Sequence, residues 1–409
     1  MPALLLAVAL SACAGRPAAT RDPTPSISFE RTARPVLRDI GFPASRDPSL
    51  AFDSGGRLWL GAVTGSGDDR GYRLFVSDSL GDRFRVDQTV PVGRGLLFDG
   101  QNGPAFVLDR SEFAHVLYAS EAAGRHRIVA ERKRWFESRW TEADVRDRAA
   151  PPATWAAFAD VAVAPSGAEF VSMLDERNHR GPSDDVSEVW FARSGDGLHF
   201  AKNARIAAHT CSCCRTAVAA GDGNDVYVAF RGNYDTDRRD VALATSHDGG
   251  AAFDPPVRIS NDGWSIHGCP ESGPALLADR GIVRVAWFTL GADATPRILL
   301  STSADGGKTF EPPVIVSSGV LDPNHPRLAL AKPDGALLTF EGRDPSDGGF
   351  GKTRAWIVRI SSRGVTAPEA VTPSSIDVSD PVALMPNATL VAVAATSPRG
   401  VVLVRGRVR

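Results

Sequence analysis

The residues most able to carry chemistry lie in one short stretch of the chain. His209 begins the segment HTCSCC, which places thiols at three close positions, Cys211, Cys213 and Cys214. The whole chain has only five cysteines, and Cys269 follows His267 at the same spacing as Cys211 follows His209. Thiols and imidazoles at this density can form disulfides, bind a soft metal ion or take part in redox chemistry.

The cysteine pattern supports three interpretations. Four cysteines remain when Cys13 is set aside, and bridges 211–214 and 213–269 are the least strained pairing, because adjacent cysteines form strained rings. Alternatively, the four thiolates could bind Cu(I) or Zn(II) together with the imidazoles of His209 and His267. The third interpretation is a reactive or redox-active thiol. The sequence leaves all three open.

A repeat along the chain indicates the elements that position these residues. Three segments align with one another, VWFARSGDGLHF (189–200), VALATSHDGGAAFDPPVRIS (241–260) and ILLSTSADGGKTFEPPVIVS (298–317), and LFVSDSLGDRF (74–84) is a weaker copy. Their first serines, at 77, 194, 246 and 303, are separated by 117, 52 and 57 residues, and 117 is about two periods. A period of about 50 residues with alternating apolar positions predicts four-stranded propeller blades.

Ser303 to Phe310 is similar to the Asp-box, or bacterial neuraminidase repeat, of the neuraminidase superfamily. The resemblance implies a sialidase-like β-propeller, and it implies that these residues hold a turn rather than catalyse a reaction. The structural positions are Ser194, Asp196, Gly197, Phe200, Ser246, Asp248, Gly250, Phe253, Ser303, Asp305, Gly307 and Phe310. The CSCC and GCPxSGP segments also resemble parts of sialidase-like envelope proteins, without implying a reaction.

The repeat predicts an all-β protein with a single propeller domain over residues 27–409. Six units are expected near 48–90, 103–142, 158–207, 215–260, 272–317 and 324–372. The final unit holds three strands, and residues 27–39 would supply its fourth, which closes the ring and removes exposed sheet edges. We therefore expect seven blades of four antiparallel strands. Six blades are the alternative, since sialidases have six and the second unit has no Asp-box.

Residues on one face of this ring are the candidates for function. In a propeller the first strand of each blade begins, and the second ends, at the same face. Polar groups at those positions predict a ligand site in the central funnel, with the following ligand-binding candidates: Asp160, Arg231, His325, Glu341 and Arg343. The sialidase resemblance would assign Arg177, Arg231 and Arg343 to a carboxylate clamp, Tyr234 with Glu341 to the nucleophile and Asp160 to the acid.

The match to sialidases is incomplete, because their early arginine motif is absent. We therefore favour a protein that binds a glycan, a peptide or a soft metal ion in its funnel without sialidase turnover. A glycoside hydrolase of the exo-α-sialidase type, a copper or zinc protein and a scaffold for an envelope complex are the alternatives.

The N-terminal segment predicts the compartment. MPALLLAVALSACAGRP is an apolar run that ends at Cys13 and resembles the lipobox of bacterial lipoproteins. The resemblance implies a signal peptide over 1–12, lipidation of Cys13 and a tether over 13–26, so we expect a monomer in the bacterial cell envelope that meets the membrane only through its anchor. The net charge of −2 gives no reason to expect nucleic acid as a partner.

Overall fold

The computed structural model describes residues 27–30, 33–77, 81–93, 95–98, 101–178 and 186–408. The predicted signal peptide, tether and lipidation site at Cys13 lie outside these residues. Within the described ranges the helices are short 3₁₀ turns, Arg38–Ile40, Gly67–Asp69, Asp235–Asp237 and Pro345–Asp347. None of the helices there has the length and apolar character needed to cross a membrane.

Two short N-terminal strands precede the first blade, β1 (Ile27–Phe29) and β2 (Arg34–Pro35). The first blade contains β3 (Ser45–Phe52), β4 (Leu58–Thr64), β5 (Gly71–Ser77) and β6 (Phe84–Val90). The second contains β7 (Ala105–Leu108), β8 (Phe113–Ala122), β9 (Arg125–Arg134) and β10 (Thr141–Asp144). The third contains β11 (Ala156–Val163), β12 (Glu169–Asp175), β13 (Val186–Ser194) and β14 (Ala204–Cys211).

The next three blades repeat this order. The fourth contains β15 (Ala217–Ala220), β16 (Val226–Arg231), β17 (Val241–Ser246) and β18 (Val257–Arg258). The fifth contains β19 (Ala275–Asp279), β20 (Ile282–Thr289), β21 (Arg297–Ser303) and β22 (Val314–Ile315). The sixth contains β23 (Leu321–Leu330), β24 (Ala336–Arg343), β25 (Thr353–Ser361), β26 (Gly364–Val365) and β27 (Glu369–Ala370).

The seventh blade joins the two ends of the described chain. It contains β28 (Ser379–Asn387), β29 (Leu390–Ser397) and β30 (Gly400–Val408), and β1 adds to β30 as the outermost strand. Ile27 pairs with Val408 and Phe29 with Gly406, while β2 pairs farther along β30. The predicted closure of the ring by residues 27–39 is therefore present, and it pairs the backbone of β30 on its outer side.

The predicted class and blade number are confirmed. Seven antiparallel sheets follow one another in the ring, and each contains the four expected strands. The six-bladed alternative is wrong, because residues 105–144, which carry no Asp-box, form a sheet of their own, β7 to β10.

Apolar side chains from neighbouring sheets form the core. Phe170 and Phe191 of the third blade stack with ring centroids 6.0 Å apart, and Phe253 of the fourth blade meets Phe191 edge-on at 4.8 Å. Leu58, Leu60 and Phe75 of the first blade similarly pack in one buried cluster with Val401 and Leu403 of the seventh. Apolar burial of this kind is the main favourable contribution to the free energy of folding. Each sheet is therefore stabilised by the sheets on either side of it in the ring.

The repeated serine–aspartate segments form the turns between third and fourth strands. Asp248 accepts the backbone N–H groups of Ala251 and Ala252 at 2.8 and 2.9 Å, and Ser246 Oγ accepts that of Gly250 at 2.9 Å. Equivalent bonds hold the turns at Asp196 and Asp305. The Asp-box aromatics Phe200, Phe253 and Phe310 pack against apolar clusters. These turns lie on the face opposite to the beginnings of the first strands.

A bulge shapes the first strand of four blades. Asp47, Phe158, His325 and Asp380 have φ values of 52°, 52°, 52° and 50°, and the strand register shifts at each of them. Bulges turn side chains away from the regular alternation of a strand. Here they lie where the first strands begin, which we call the upper face of the ring.

Candidate functional site

The first strands surround a channel at the centre of the ring with a volume of about 250 Å³. Its exposed lining is mostly polar, and five charged side chains line it, Asp47, Asp160, Arg215, Arg327 and Asp380. They come from the first, third, fourth, sixth and seventh blades. Residues far apart in sequence are therefore brought into one enclosed polar site by the closure of the ring.

Enclosure changes the pKa of two of these groups, Asp47 and Arg327. Burial raises the pKa of Asp47 to about 7, with a further contribution from the charge of Asp380. Burial also lowers the pKa of Arg327 to about 10, assisted by the like charge of Arg215. Gly103 leaves room for the Asp47 carboxylate, since a Cβ there would lie 1.5 Å from Asp47 Oδ2. The channel therefore holds a carboxyl group that titrates near neutral pH.

A second group of polar side chains lies beside the channel, and we call His325, Glu341 and Asp380 the mouth cluster. His325 Nδ1 is 2.9 Å from Glu341 Oε1 and 3.7 Å from Asp380 Oδ1, while Nε2 is 3.1 Å from the carbonyl oxygen of Glu271. Burial alone would lower the pKa of His325, but the bond to Glu341 and the two carboxylates outweigh it and raise that pKa. The two carboxylates therefore stabilise the protonated form of the imidazole relative to the neutral form.

Hydrogen bonds from neighbouring blades hold the mouth cluster in place. The N–H of Asp380 donates to Glu341 Oε2 at 2.7 Å, so the carboxylate of the sixth blade holds the bulge of the seventh. Gln101 Nε2 donates to Asp380 Oδ1 at 3.3 Å and adds a contact from the start of the second blade. The three side chains of the cluster are also close enough to hold a metal ion.

An open cleft of about 530 Å³ adjoins the mouth cluster on the upper face, and we call it the upper cleft. Glu341 borders it together with Arg46, Asp377, Thr396 and other residues of the sixth, seventh and first blades. Glu341 thus connects the cleft to His325 and Asp380. The size of the cleft lies within the range of small-molecule sites in proteins.

The three arginines that the sialidase resemblance assigned to a clamp are engaged by the protein itself. Arg231 is buried and donates to the carbonyl oxygens of Ser272, Arg239 and Phe288 at 3.1, 2.6 and 2.8 Å. Arg177 donates to Asp175 Oδ2 at 2.7 Å and to Asn203 Oδ1 at 2.9 Å. Arg343 pairs with Asp322 and donates to the carbonyl oxygen of Gly349 at 2.7 Å. These bonds give each guanidinium a structural partner.

The other three candidates of that assignment also have partners of their own. The Tyr234 ring lies under the Arg258 guanidinium, with 4.8 Å from Cζ to the ring centroid, and burial raises the pKa of its hydroxyl. Glu341 instead contacts His325 and the backbone of Asp380. Asp160 does line the channel, where its Oδ2 accepts the N–H of Val218 at 3.0 Å.

The cysteines lie where the third blade ends and where the fourth and fifth blades begin. Cys213 and Cys269 form a disulfide, as predicted. The second predicted bridge is absent, because the sulfur atoms of Cys211 and Cys214 are 3.0 Å apart, well beyond bonding distance, and both cysteines are free.

The predicted imidazole ligands lie outside the sulfur cluster. Among the described residues, Cys211, Cys213 and Cys214 are grouped closely enough to hold a metal, and neither predicted histidine joins them. His209 is exposed, and His267 is exposed and paired with Asp237. Binding of copper or zinc by the cysteines stays a prediction.

Sequence reasoning missed Arg215, Arg327 and Gln101. Arg215 directly follows Cys214, and Arg327 follows the prolines that begin the sixth blade. The available signal was their position near the beginning of a first strand, beside residues that the prediction did consider. Arg215 adjoins the cysteine segment, and Arg327 is two residues after His325.

Comparisons with known proteins agree with the fold. No protein-family model matches the chain, and no curated protein matches it. An ulvan lyase, described as a new family of polysaccharide lyase and bound to a -[GlcA(1-4)Rha3S]- saccharide, superposes with a TM-score of 0.56 at 11% identity, covering 89% of this chain and 94% of its own.

Two further solved structures are similar. A Hadza microbial sialidase has a TM-score of 0.50 at 14% identity over 86% of this chain and 76% of its own. The α-L-arabinofuranosidase from Fusarium graminearum has a TM-score of 0.51 at 14% identity over 82% and 98%. The chain is thus a seven-bladed β-propeller whose structural neighbours include glycan-active propellers. At these identities the likeness shows the fold alone.

Proposed function

We propose that this protein binds a glycan at the upper face, between the mouth cluster and the upper cleft, without sialidase turnover. The observation that supports it most strongly is the convergence of His325, Glu341 and Asp380 beside an open cleft of about 530 Å³. Concave sites with a few convergent polar groups are the usual location of ligands.

The arginines argue against sialate as the substrate. A sialidase binds the carboxylate of its substrate with bidentate guanidinium contacts. Arg231 is buried against three backbone carbonyl groups, and Arg177 is buried against Asp175. Freeing them would remove the donors that Arg231 gives to buried carbonyl oxygens and one of the two guanidinium partners of Asp175, which is costly.

The chemistry of the cleft favours a hydroxyl-rich ligand. Glu341 and Asp377 supply acceptor oxygens to the cleft, and Asp380 supplies them to the adjoining channel. Sugar hydroxyls are donors that carboxylates bind well, since hydrogen bonds to charged groups contribute about 1.5–3 kcal/mol each. The saccharides named for the neighbouring structures are consistent with this class of ligand.

An array of neutral and acidic oligosaccharides tests the proposal. We expect the native chain to bind at least one member, and the Glu341→Gln variant to bind it about 10- to 100-fold more weakly, as loss of one charge-assisted hydrogen bond implies. Asp222→Asn is the matched control, because Asp222 is an exposed carboxylate in the turn between β15 and β16, on the opposite face. No binding to any saccharide, or equal loss in both variants, would overturn the proposal.

Hydrolysis is a second candidate, and the pKa of Asp47 favours it. A carboxyl group with a pKa of about 7 beside a second carboxyl group, here Asp47 beside Asp380, is the kind of pair from which glycosidases take a general acid. A panel of nitrophenyl glycosides that includes a sialoside tests this. Turnover that is abolished by Asp47→Asn would establish a hydrolase, and cleavage of the sialoside that is lost in Tyr234→Phe would contradict our preference for binding.

We also propose that the chain is tethered to the bacterial envelope through lipid on Cys13. The support is the sequence pattern alone, because Cys13 lies outside the described residues. Labelling with palmitate should mark the native chain and should be lost in Cys13→Ser. Equal labelling of both would remove the anchor.

A further inference from the structure

Four sulfur atoms where the third blade ends and where the fourth and fifth blades begin are in two different redox states. Cys213 and Cys269 form a disulfide, whereas Cys211 and Cys214 are free thiols. The free pair is buried, with exposed fractions of 2% and 1%, while Cys269 lies at the surface. The cluster therefore combines a disulfide that reaches solvent with a dithiol that does not.

Cys211 occupies the central position. Its sulfur is 3.7 Å from the Cys213 sulfur and 3.0 Å from the Cys214 sulfur. It is therefore close to both the disulfide and the second free thiol. Such a chain of sulfurs is the geometry that thiol–disulfide exchange requires, since a thiolate must reach one sulfur of a disulfide directly.

The positions of the two free sulfurs distinguish their roles. Cys211 Sγ lies near a sulfur of the disulfide, so Cys211 is placed as the nucleophile. Cys214 Sγ lies near Cys211 Sγ, so Cys214 is placed to resolve the bond that Cys211 would form.

We propose that these four cysteines form a thiol–disulfide exchange centre that transfers the disulfide between the surface pair, Cys213 and Cys269, and the buried pair, Cys211 and Cys214. The inference is independent of glycan binding. It assigns a role to the buried dithiol, which a purely structural disulfide would not need.

The exchange proceeds in two balanced steps. The Cys211 thiolate attacks Cys213 Sγ, so the 211–213 bond forms, the 213–269 bond breaks and Cys269 leaves as a thiolate. Cys214 then attacks Cys211 Sγ, so the 211–214 bond forms, the 211–213 bond breaks and Cys213 leaves, while the proton of Cys214 is transferred to a released thiolate. The number of disulfides and electrons in the protein is unchanged.

The product exposes a reactive thiol at the surface. The Cys269 thiolate can attack an external disulfide, releasing one thiolate of that disulfide and forming a mixed disulfide. Cys213 then attacks Cys269 Sγ, releases the second thiol and restores the 213–269 bond. The external disulfide is reduced by two electrons, and the protein now holds both disulfides.

Glutathione disulfide is a suitable probe. We incubate the native chain with an excess at pH 8, quench with acid and map the cysteines by mass spectrometry. The exchange centre predicts a transient glutathione adduct at Cys269 and then a chain with two disulfides, 211–214 and 213–269. An adduct on Cys211 or Cys214 without one on Cys269, or no reaction, would overturn the proposal.

Three variants separate exchange from direct attack on the surface disulfide. Cys211→Ser should form no adduct at Cys269. If contaminating glutathione attacked the surface disulfide directly, the adduct would still form in this variant. Cys214→Ser should stop after the first step, with a 211–213 bond and an adduct at Cys269. Ser212→Ala changes a residue in the same segment without removing sulfur, and it should react like the native chain. Thermal melting of each variant establishes that it is folded, and adduct formation in Cys211→Ser at the native rate would refute the exchange.

Discussion

Asp47 of the first blade and Gly103, which precedes the second blade, are direct neighbours in the wall of the channel. The carboxylate of Asp47 occupies the space that a side chain at Gly103 would need, at 1.5 Å from the added Cβ. We therefore expect Gly103→Ala to displace that carboxylate and to cost about 1–3 kcal/mol of unfolding free energy, as overpacking does. Urea unfolding measures the change.

A double-mutant cycle provides the control for this contact. If the cost arises from Asp47, Gly103→Ala should be nearly neutral when Asp47 is already alanine. An unchanged cost in that background would show that the alanine clashes elsewhere.

Individual residues were predicted with mixed success, for a physical reason. Position along a strand indicated that His325 and Glu341 share the upper face, and they do lie together, with Asp380 beside them. The same reasoning grouped Arg231 with Arg343, although Arg231 is captured by backbone carbonyl groups of the fifth blade and a neighbouring loop. A long side chain finds its partners through loop conformation, which strand periodicity does not specify.

At the scale of elements, a buried histidine links the second and third blades. His115 on β8 is 2.8 Å from Glu169 Oε2 on β12 and 3.2 Å from Asp109 Oδ2, and the three side chains are almost fully buried. Burial alone would lower the pKa of His115, but the bonds to the two carboxylates raise it above 6.5. The contact between His115 and Glu169 therefore connects the two sheets.

Replacement of His115 should destabilise the fold in a pH-dependent way. His115→Gln leaves two buried carboxylates without their cation, and we expect a loss of about 3–5 kcal/mol, as for other broken buried pairs. Because the folded-state pKa is the higher one, the stabilisation is complete below the unfolded value of about 6.5 and is lost as the pH rises through the folded value. Urea unfolding at pH 5.5, 7 and 9 measures it.

His199→Gln is the matched control, because its ion pair with Asp196 is solvent-exposed on a turn. Exposed pairs contribute little, so this variant should change stability by less than about 1 kcal/mol. A His115→Gln cost that is equally small, or that grows with pH, would contradict the proposed role.

The sheets themselves were more predictable than the cysteines. The turns at Asp196, Asp248 and Asp305 identified the third, fourth and fifth blades from the sequence. They could do so because the hydrogen bonds of each turn join residues only a few positions apart. Cys213 and Cys269 were paired correctly from their equivalent places in adjacent blades. Whether Cys211 and Cys214 are bonded or free depends on the exact separation of their sulfur atoms and on redox conditions. The sequence encodes neither.

At the scale of the whole molecule, the ring depends on its closing strand. β1 pairs with β30 and buries Ile27 in the cluster of the sixth and seventh blades. A chain that begins at residue 36 should melt several degrees below one that begins at residue 27, because it exposes the edge of β30 and loses buried apolar surface. Differential scanning calorimetry and light scattering measure melting and aggregation, and equal melting temperatures would show that closure does not need β1.

The most direct measurement is a crystal structure of the chain with the oligosaccharide that the array selects. We predict a sugar ring in the upper cleft, with hydroxyl groups within hydrogen-bonding distance of Glu341 and with Asp380 and His325 beside it. A saccharide bound on the opposite face, or at an outer edge such as the exposed Trp135 and Phe136, would contradict the proposed site.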